Sequence, residues 1–410
     1  MTHGSEGAAG NLPERRSGVG YAPHRPAAAR RRPVHFAQRV HEKATVLAYR
    51  ACSWILGRLP ERPVLAVAEA GFLAGYALWP GKRRAITANA AHVLGVPVDD
   101  PHAGRLTRAA YRAYSRYVVG LMRLPSLPAS VPASLVDASG ERGLASFQRL
   151  YERLRGEGRA MIIVTLHVGS METLAAAMAS HGFPAYGVAD DSAFPELYEL
   201  LAEQRRRWGV EVIAWRNLRE IHRVLRDCGI LALLVDWGYR SDGIPVRFFD
   251  TWTTLPAGPA ALAAKTGAAI VPVVNRRLAD GRYRAEHGEP IEVSDDSPRE
   301  IQRATQAVAD ALAAAIRLAP EQWYCFKPIW PDDPAEMDEL ARRAERAQAD
   351  AGRSARRRAR PGNGVEHETR GDGPSTDGDG PARATAAADR AMEPESTGAA
   401  GIVEGEPVGG

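Results

Sequence analysis

Between residues 160 and 290 the chain alternates short apolar blocks with longer stretches of helical pattern. MIIVTL, residues 161–166, is a block of mostly apolar, partly β-branched side chains, the length and composition of a buried strand. Gly169-Ser170 then opens METLAAAMASHG, which has the start signal and composition of a helix. The alternation recurs downstream. Residues 184–189 form a short strand, 195–208 a helix with Pro195 in its first turn, 210–214 a strand, and 218–227 a helix capped by Asn217. GILALLV, residues 229–235, is an apolar strand ending at Asp236, after which residues 237–254 change texture and are expected to be a loop. Pro256-Ala257-Gly258-Pro259 opens a helix of small residues, 269–274 is a buried strand, and Asp280-Gly281 turns the chain into a further strand at 283–287. Ser297-Pro298-Arg299-Glu300 is a capping box that starts a structural helix ending near residue 318. Strands separated by helices predict an α/β fold, a central, mostly parallel sheet flanked by helices. Ligands of such sheets bind beyond the carboxyl ends of the strands, where His167 and Asp236 both fall.

Two mainly apolar helical stretches precede this region, at 44–59 and 63–79. The second carries Glu69 in its middle and is short for a membrane span. Arg62 and Lys82-Arg83-Arg84 flank it, and Tyr76 and Trp79 lie at one end, which suits an amphipathic helix lying in an anionic cytoplasmic leaflet. The competing reading is a buried helix of a soluble domain. Composition sets the outer limits. Residues 361–410 contain no aromatic and are mostly Gly, Ala, Pro, Asp, Glu and Thr, too little apolar surface to offset the entropy of ordering. The expected organisation is a disordered basic tail at 1–38, a helical membrane-associating region at 39–130, an α/β core at 131–335, a charged helix or linker at 336–360, and a disordered tail at 361–410. The N-terminal arginines have no apolar run directly behind them, so a secretory signal is not expected. RSARRRAR at 353–360 is either a surface-binding or a solvated basic run.

The chemistry concentrates at the first strand end. His167 sits on the turn leaving the strand and Glu172 in the first turn of the helix. A neutral imidazole can take a proton at working pH, and a nearby carboxylate can fix its tautomer and stabilise the imidazolium. The pair is therefore a candidate general base with its orienter. Arg240 and Arg247, in a segment with Phe248, Phe249 and Trp252, are candidate contacts for a lipid with an anionic head group. The helix start at Gly258 offers free backbone N–H groups to an anion. Asp236 is either a site residue, a turn cap or a partner of Arg240. A net charge of +4, without an aromatic-interleaved basic face, argues against nucleic acid. Cys52, Cys228 and Cys325 give neither a disulfide framework nor a zinc pattern; they are expected to be small core residues in a reducing compartment.

The order of these features resembles a known family. H-x-x-x-x-E after a strand, an arginine-bearing helix, LLVDWGYRSDGIPVRFFDTWTTLPAGPAALAAKTGAAIVPVV and PEQWYCFKPIWP together are similar to the bacterial membrane acyltransferases that include the lipid A late acyltransferases and the phosphatidylinositol mannoside acyltransferases. The similarity runs from about residue 84 to 330. It implies a glycerol-phosphate-acyltransferase-like fold at the cytoplasmic face of the plasma membrane, no cofactor and no metal. It also implies transfer of an acyl group from acyl-coenzyme A or acyl carrier protein to a hydroxyl of a membrane glycolipid or lysophospholipid. On this resemblance His167 and Glu172 are a catalytic dyad that works without a covalent intermediate. Gly169 and Ser170 lie where backbone N–H groups would hold the oxyanion. Arg207, or its neighbours Arg205 and Arg206, and Asp236 match the family's further site residues. Trp237 and Met171 depart from the pattern, which bears on acceptor specificity rather than on the chemistry.

Two other classes compete. A nucleotide-sugar glycosyltransferase would need a D-x-D metal site or a glycine-rich nucleotide loop, and Asp190-Asp191 is the nearest acidic pair. A non-catalytic lipid-binding protein on the same fold would keep its role without His167.

Overall fold

A computed structural model of the chain describes residues 36–128, 130–191 and 194–358. The chain separates into two units, residues 1–41 and 42–410, and of the first only the opening of a helix is described. The tails expected at 1–38 and 361–410 therefore fall, apart from residues 36–38, outside the described residues. Four helices come first: α1 (Phe36–Leu56), α2 (Glu61–Leu78), α3 (Pro80–Leu94) and α4 (Pro101–Arg123). Asp100 caps α4 by accepting from the His102 N–H, and Gly95, at φ +66°, ends α3 in the left-handed conformation that favours glycine.

The alternating region follows as α5 (Ser130–Ser134), β1 (Val136–Asp137), α6 (Leu144–Gly156), β2 (Met161–Thr165), α7 (Met171–Ser180), β3 (Ala185–Ala189), α8 (Pro195–Arg207), β4 (Glu211–Ala214), α9 (Leu218–Arg226) and β5 (Ile230–Leu234). Then come β6 (Ile244–Phe248), β7 (Thr251–Leu255), α10 (Gly258–Thr266), β8 (Ala269–Arg277), β9 (Tyr283–His287), α11 (Pro298–Leu318) and α12 (Pro334–Arg358). The seven-stranded sheet has the order β1-β9-β8-β2-β5-β3-β4. Strands β8, β2, β5, β3 and β4 are parallel, β9 is antiparallel to β8, and β1 is parallel to β9. The fold is thus the α/β sheet with mostly parallel strands that the alternation predicts.

Strand β2 is buried on both faces, which is why it lacks polar alternation. Ile162 and Val164 pack into the layer that holds Val224 of α9, Leu262 of α10 and Leu312 of α11. Met161 and Ile163 face the opposite layer, with Leu154 of α6 and Met178 of α7. The register then places the chemistry. Thr165 lies opposite Leu234, so two residues further on His167 and Asp236 emerge side by side; Val164 lies opposite Pro272, which brings Asn275 to the level of His167.

Three expectations change. Residues 237–254 are not a loop throughout, because β6 and β7 pair there as an antiparallel hairpin. Its turn is made by Phe249 and Asp250 at φ +49° and +61°, so it carries no Asn-Gly or Asp-Gly signal. Phe248 and Phe249 do not line a lipid site: they are buried in an aromatic core with Trp323 and Trp330. Cys52 is exposed rather than a core residue.

Candidate active site

His167 leaves β2 with its backbone pinned at both ends. Its N–H donates to Asp236 Oδ2 at 3.0 Å, and its carbonyl accepts from the Tyr324 N–H at 2.8 Å. Its Nδ1 stands 2.8 Å from Asp236 Oδ1, and Trp323 Nε1 donates to Oδ2 at 3.0 Å. An ionised carboxylate only accepts, so Nδ1 carries the proton and Nε2 keeps its lone pair. No described residue hydrogen-bonds Nε2, and 32% of the imidazole is exposed, whereas the Asp236 side chain is 2% exposed. Burying that carboxylate is tolerable because three donors meet it. Burial pulls the His167 pKa down, but the charge and hydrogen bond of Asp236, helped by Glu172, outweigh it and raise the pKa above its ordinary 6.5. Burial pushes the Asp236 pKa up, and the His167 contacts with the Trp323 hydrogen bond bring it below the usual carboxylate value.

The described partner of the imidazole is therefore Asp236, where the sequence reading had Glu172. The reason is geometric. Glu172 lies beyond the turn, in the first turn of α7, and its carboxylate points at other elements: Arg205 Nη2 of α8 donates to it at 3.2 Å and the Tyr117 hydroxyl of α4 at 3.3 Å. It is 6% exposed at the side chain and reaches His167 through its charge. Burial and the Glu172 charge push the Tyr117 pKa well up, so the phenol stays protonated and donating.

Between the histidine and α7 lies a turn with little tolerance. Gly169 has φ +69°, and a Cβ there would meet the Asn275 carbonyl oxygen at 1.6 Å. Ser170 caps α7, its Oγ accepting from the Thr173 N–H at 3.3 Å. Asn275, fully buried on β8, ties this corner to the sheet by donating through Nδ2 to the Ser170 carbonyl at 2.5 Å and to Thr173 Oγ1 at 3.3 Å. Behind it, buried Asn89 of α3 holds the segment that carries Tyr324: it donates to the Cys325 and Lys327 carbonyls and accepts from the Ile329 N–H.

The structure thus gathers His167, Gly169, Ser170, Glu172 and Asp236. On α8 it is Arg205 that reaches the cluster; Arg207 is exposed, 3.9 Å from Glu203. Arg240 is held by Asp242 at 3.0 Å. Arg247 lies on the hairpin, its N–H on Gln306 and its guanidinium on the Asp250 carbonyl, and Gly258 opens α10. No described hydrogen bond or ion pair links Arg207, Arg247 or Gly258 to His167. Sequence reasoning missed Trp323, Tyr117, Asn275 and Asn89. Trp323 sits inside PEQWYCFKPIWP, whose aromatic density was a signal, but an amide buried on a strand or helix carries none.

A family model described as bacterial lipid A biosynthesis acyltransferase matches residues 34–331. The chain belongs to that family. As a member of the lipid A biosynthesis acyltransferase family it is an acyltransferase, and the matched span contains every residue just described around His167. It is 29% identical over 294 residues to the phosphatidylinositol mannoside acyltransferase of Mycolicibacterium smegmatis, covering 70% of this chain and 92% of the relative. It is 28% identical over 306 residues to the protein of the same name from Mycobacterium tuberculosis strain H37Rv, covering 72% and 92%.

Proposed function

We propose that this acyltransferase moves a fatty acyl group from an acyl thioester, coenzyme A or carrier protein, to a hydroxyl of a membrane glycolipid, with His167 as general base. The observation that carries the reading is the imidazole held through Nδ1 by Asp236 with Nε2 open. An alcohol is a poor nucleophile until its proton is taken. Nε2 removes that proton as the oxygen attacks the thioester carbonyl; Asp236 holds the tautomer and stabilises the imidazolium, and Glu172 adds negative charge nearby. Collapse of the tetrahedral intermediate expels the thiolate, which takes the proton back from His167. Backbone N–H groups at the Gly169-Ser170 helix start face the developing oxyanion, a donor type worth ~3 kcal/mol. The acyl chain has a candidate seat in an open apolar hollow against α7, lined by Leu174, Met178, Phe147, Phe183 and Val273. The relatives' names favour a phosphatidylinositol mannoside as acceptor.

The membrane side of the reading rests on α1 and α2. No single described helix is long and apolar enough to cross a membrane; α2 and α3 pass that test only as a pair bent by 96°. Yet Leu47, Trp54, Val67, Leu78 and Trp79 are 55–79% exposed, with Lys82, Arg83 and Arg84 next to them. Such a face lies on an anionic leaflet. The test is thioester consumption by the purified chain given acyl-coenzyme A and membrane acceptors. His167→Ala, still folded and vesicle-bound, is expected to lose ~1000-fold or more in kcat/KM. Equal turnover by both proteins would remove the base assignment.

A further inference from the structure

Among the described residues, two arginines outside the catalytic cluster lie around one ring without an ion-pair partner. The guanidinium carbons of Arg83 on α3 and Arg108 on α4 both stand 5.4 Å from the ring of Tyr76 on α2. Two like charges gathered around one ring repel each other, and among the described residues no ion pair takes either arginine. The acid on the adjoining turns, Glu69, is committed to Arg112 at 3.0 Å and Arg116 at 3.7 Å. Arg83 is further fixed by donating to the Tyr76 carbonyl at 3.4 Å, so its charge is held in place rather than free in solvent. Both guanidinium groups flank the ring of Tyr76, and a guanidinium fork is suited to the oxygens of a phosphate.

Its position within the fold narrows the ligand. Tyr76 meets Tyr111 edge to face at 5.4 Å, Tyr111 meets Phe326 edge to face at 5.5 Å, Phe326 lies tilted on Tyr114 at 4.6 Å, and Tyr114 stacks on Tyr117 at 5.8 Å. The Tyr117 hydroxyl is the group that donates to Glu172, so the aromatic row ends at the catalytic cluster. In the other direction the row ends at Tyr76, two and three residues before Leu78 and Trp79, which are 79% and 55% exposed. Along α4, Arg108 and Tyr117 are nine residues apart, ~13 Å of helix.

We infer that Arg83 and Arg108, gathered around Tyr76, form the site for the phosphate of the acceptor, a glycolipid whose sugars are joined to its diacylglycerol through a phosphodiester. The lipid tails stay at the Leu78 and Trp79 surface, the phosphate meets the two guanidinium groups, and the sugars lie along the row with a hydroxyl at His167. This deepens the proposed function and rests on it for the identity of the acceptor. It assigns Arg83 and Arg108 to acceptor binding, not to the chemical step.

The test uses the full chain, Arg83→Ala/Arg108→Ala and the charge-keeping Arg83→Lys/Arg108→Lys. The probes are a water-soluble glycerophosphoinositol mannoside, octyl mannoside as its phosphate-free counterpart, and phosphatidylglycerol vesicles. The alanine variant is expected to weaken calorimetric binding of the phosphorylated glycoside by about tenfold or more and to raise its KM to match, while kcat stays within about twofold. The ratio of KM values between the two glycosides should collapse correspondingly, and the lysine variant should recover part of it. Equal weakening for both glycosides, an unchanged affinity for the phosphorylated one, or a loss confined to vesicle binding would each overturn the inference. If the parent binds the phosphorylated glycoside through these arginines but transfers no acyl group to either, the proposed function fails and the phosphate site stands.

Discussion

The carboxyl edge of the sheet and the α1–α2 surface obey opposite rules. At the sheet edge apolar side chains vanish from solvent, with Ile162 and Val164 fully buried. The two carboxylates that go inside there are met, Asp236 by three donors and Glu172 by two. On α1 and α2 several large apolar residues point outward: Val67 is 73% exposed and Leu78 79%. Burying one such side chain is worth about 1.5–3 kcal/mol, so a water-facing helix that exposes several forgoes stabilisation unless another apolar phase covers them. The difference separates a region that holds charges still from one that leaves large apolar side chains uncovered by the described residues.

The sharpest way to break the comparison is at Asp236. Asp236→Asn keeps the shape but loses the charge that orients and stabilises the imidazolium, so kcat/KM should fall roughly 100- to 10,000-fold on any acceptor, soluble or membrane-bound. The pH profile provides an independent readout. A general base must be neutral, so the activity of the parent should rise with pH through a midpoint above 6.5, the direction in which Asp236 outweighs burial. In the Asn variant the midpoint should move down. Stability carries the opposite sign. A raised histidine pKa stabilises the fold below the unfolded value, and that contribution is lost as pH rises through the folded one. A midpoint that stays put in the variant would mean that Asp236 does not set the imidazole's charge.

Next in size is Gly169→Ala. The added methyl would have to share space with the Asn275 carbonyl, in a left-handed conformation that alanine resists. About 2–4 kcal/mol of destabilisation in urea unfolding is expected, with α7 displaced from the sheet. An alanine variant as stable as the parent would show that the turn between His167 and Ser170 yields more readily than its packing implies.

Much of the sheet edge was legible because the signals there are local. Ser170, Asn217 and Ser297 cap their helices as the sequence indicates, and strand β9 at Tyr283–His287 follows the Asp280-Gly281 turn. His167 and Asp236 were both visible as strand-end residues. That they touch was not, because their pairing depends on β2 lying next to β5, which are separated by β3, β4 and three helices in the chain. That the imidazole hydrogen-bonds Asp236 rather than Glu172 was hidden for the same reason: five residues of separation suggest proximity, but the Gly169 turn sends the Glu172 carboxylate toward Arg205 and Tyr117. Arg205 was separable from Arg207 only by the helical phase of α8 against α7. Asn89, Asn275 and the Arg83–Tyr76–Arg108 cluster join distant segments, and no local pattern announces such a contact.

The smallest effect tests the other side of the comparison. Leu78→Ser/Trp79→Ser removes two of the most exposed apolar side chains at the end of α2 without touching the sheet. Since neither is packed, thermal stability should change by no more than about 0.5 kcal/mol. Vesicle partition should instead fall by roughly tenfold or more, measured by sedimentation with phosphatidylglycerol liposomes, because each side chain gives up its burial among lipid. Acyl transfer to a water-soluble glycoside should be retained, while transfer to an acceptor embedded in vesicles declines with partition. If both activities fell together, the exposed face would belong to the catalytic body after all. If partition held, the apolar residues of α1 and α2 would be covered by something other than a bilayer, and the opposition between the two regions would need a different second phase.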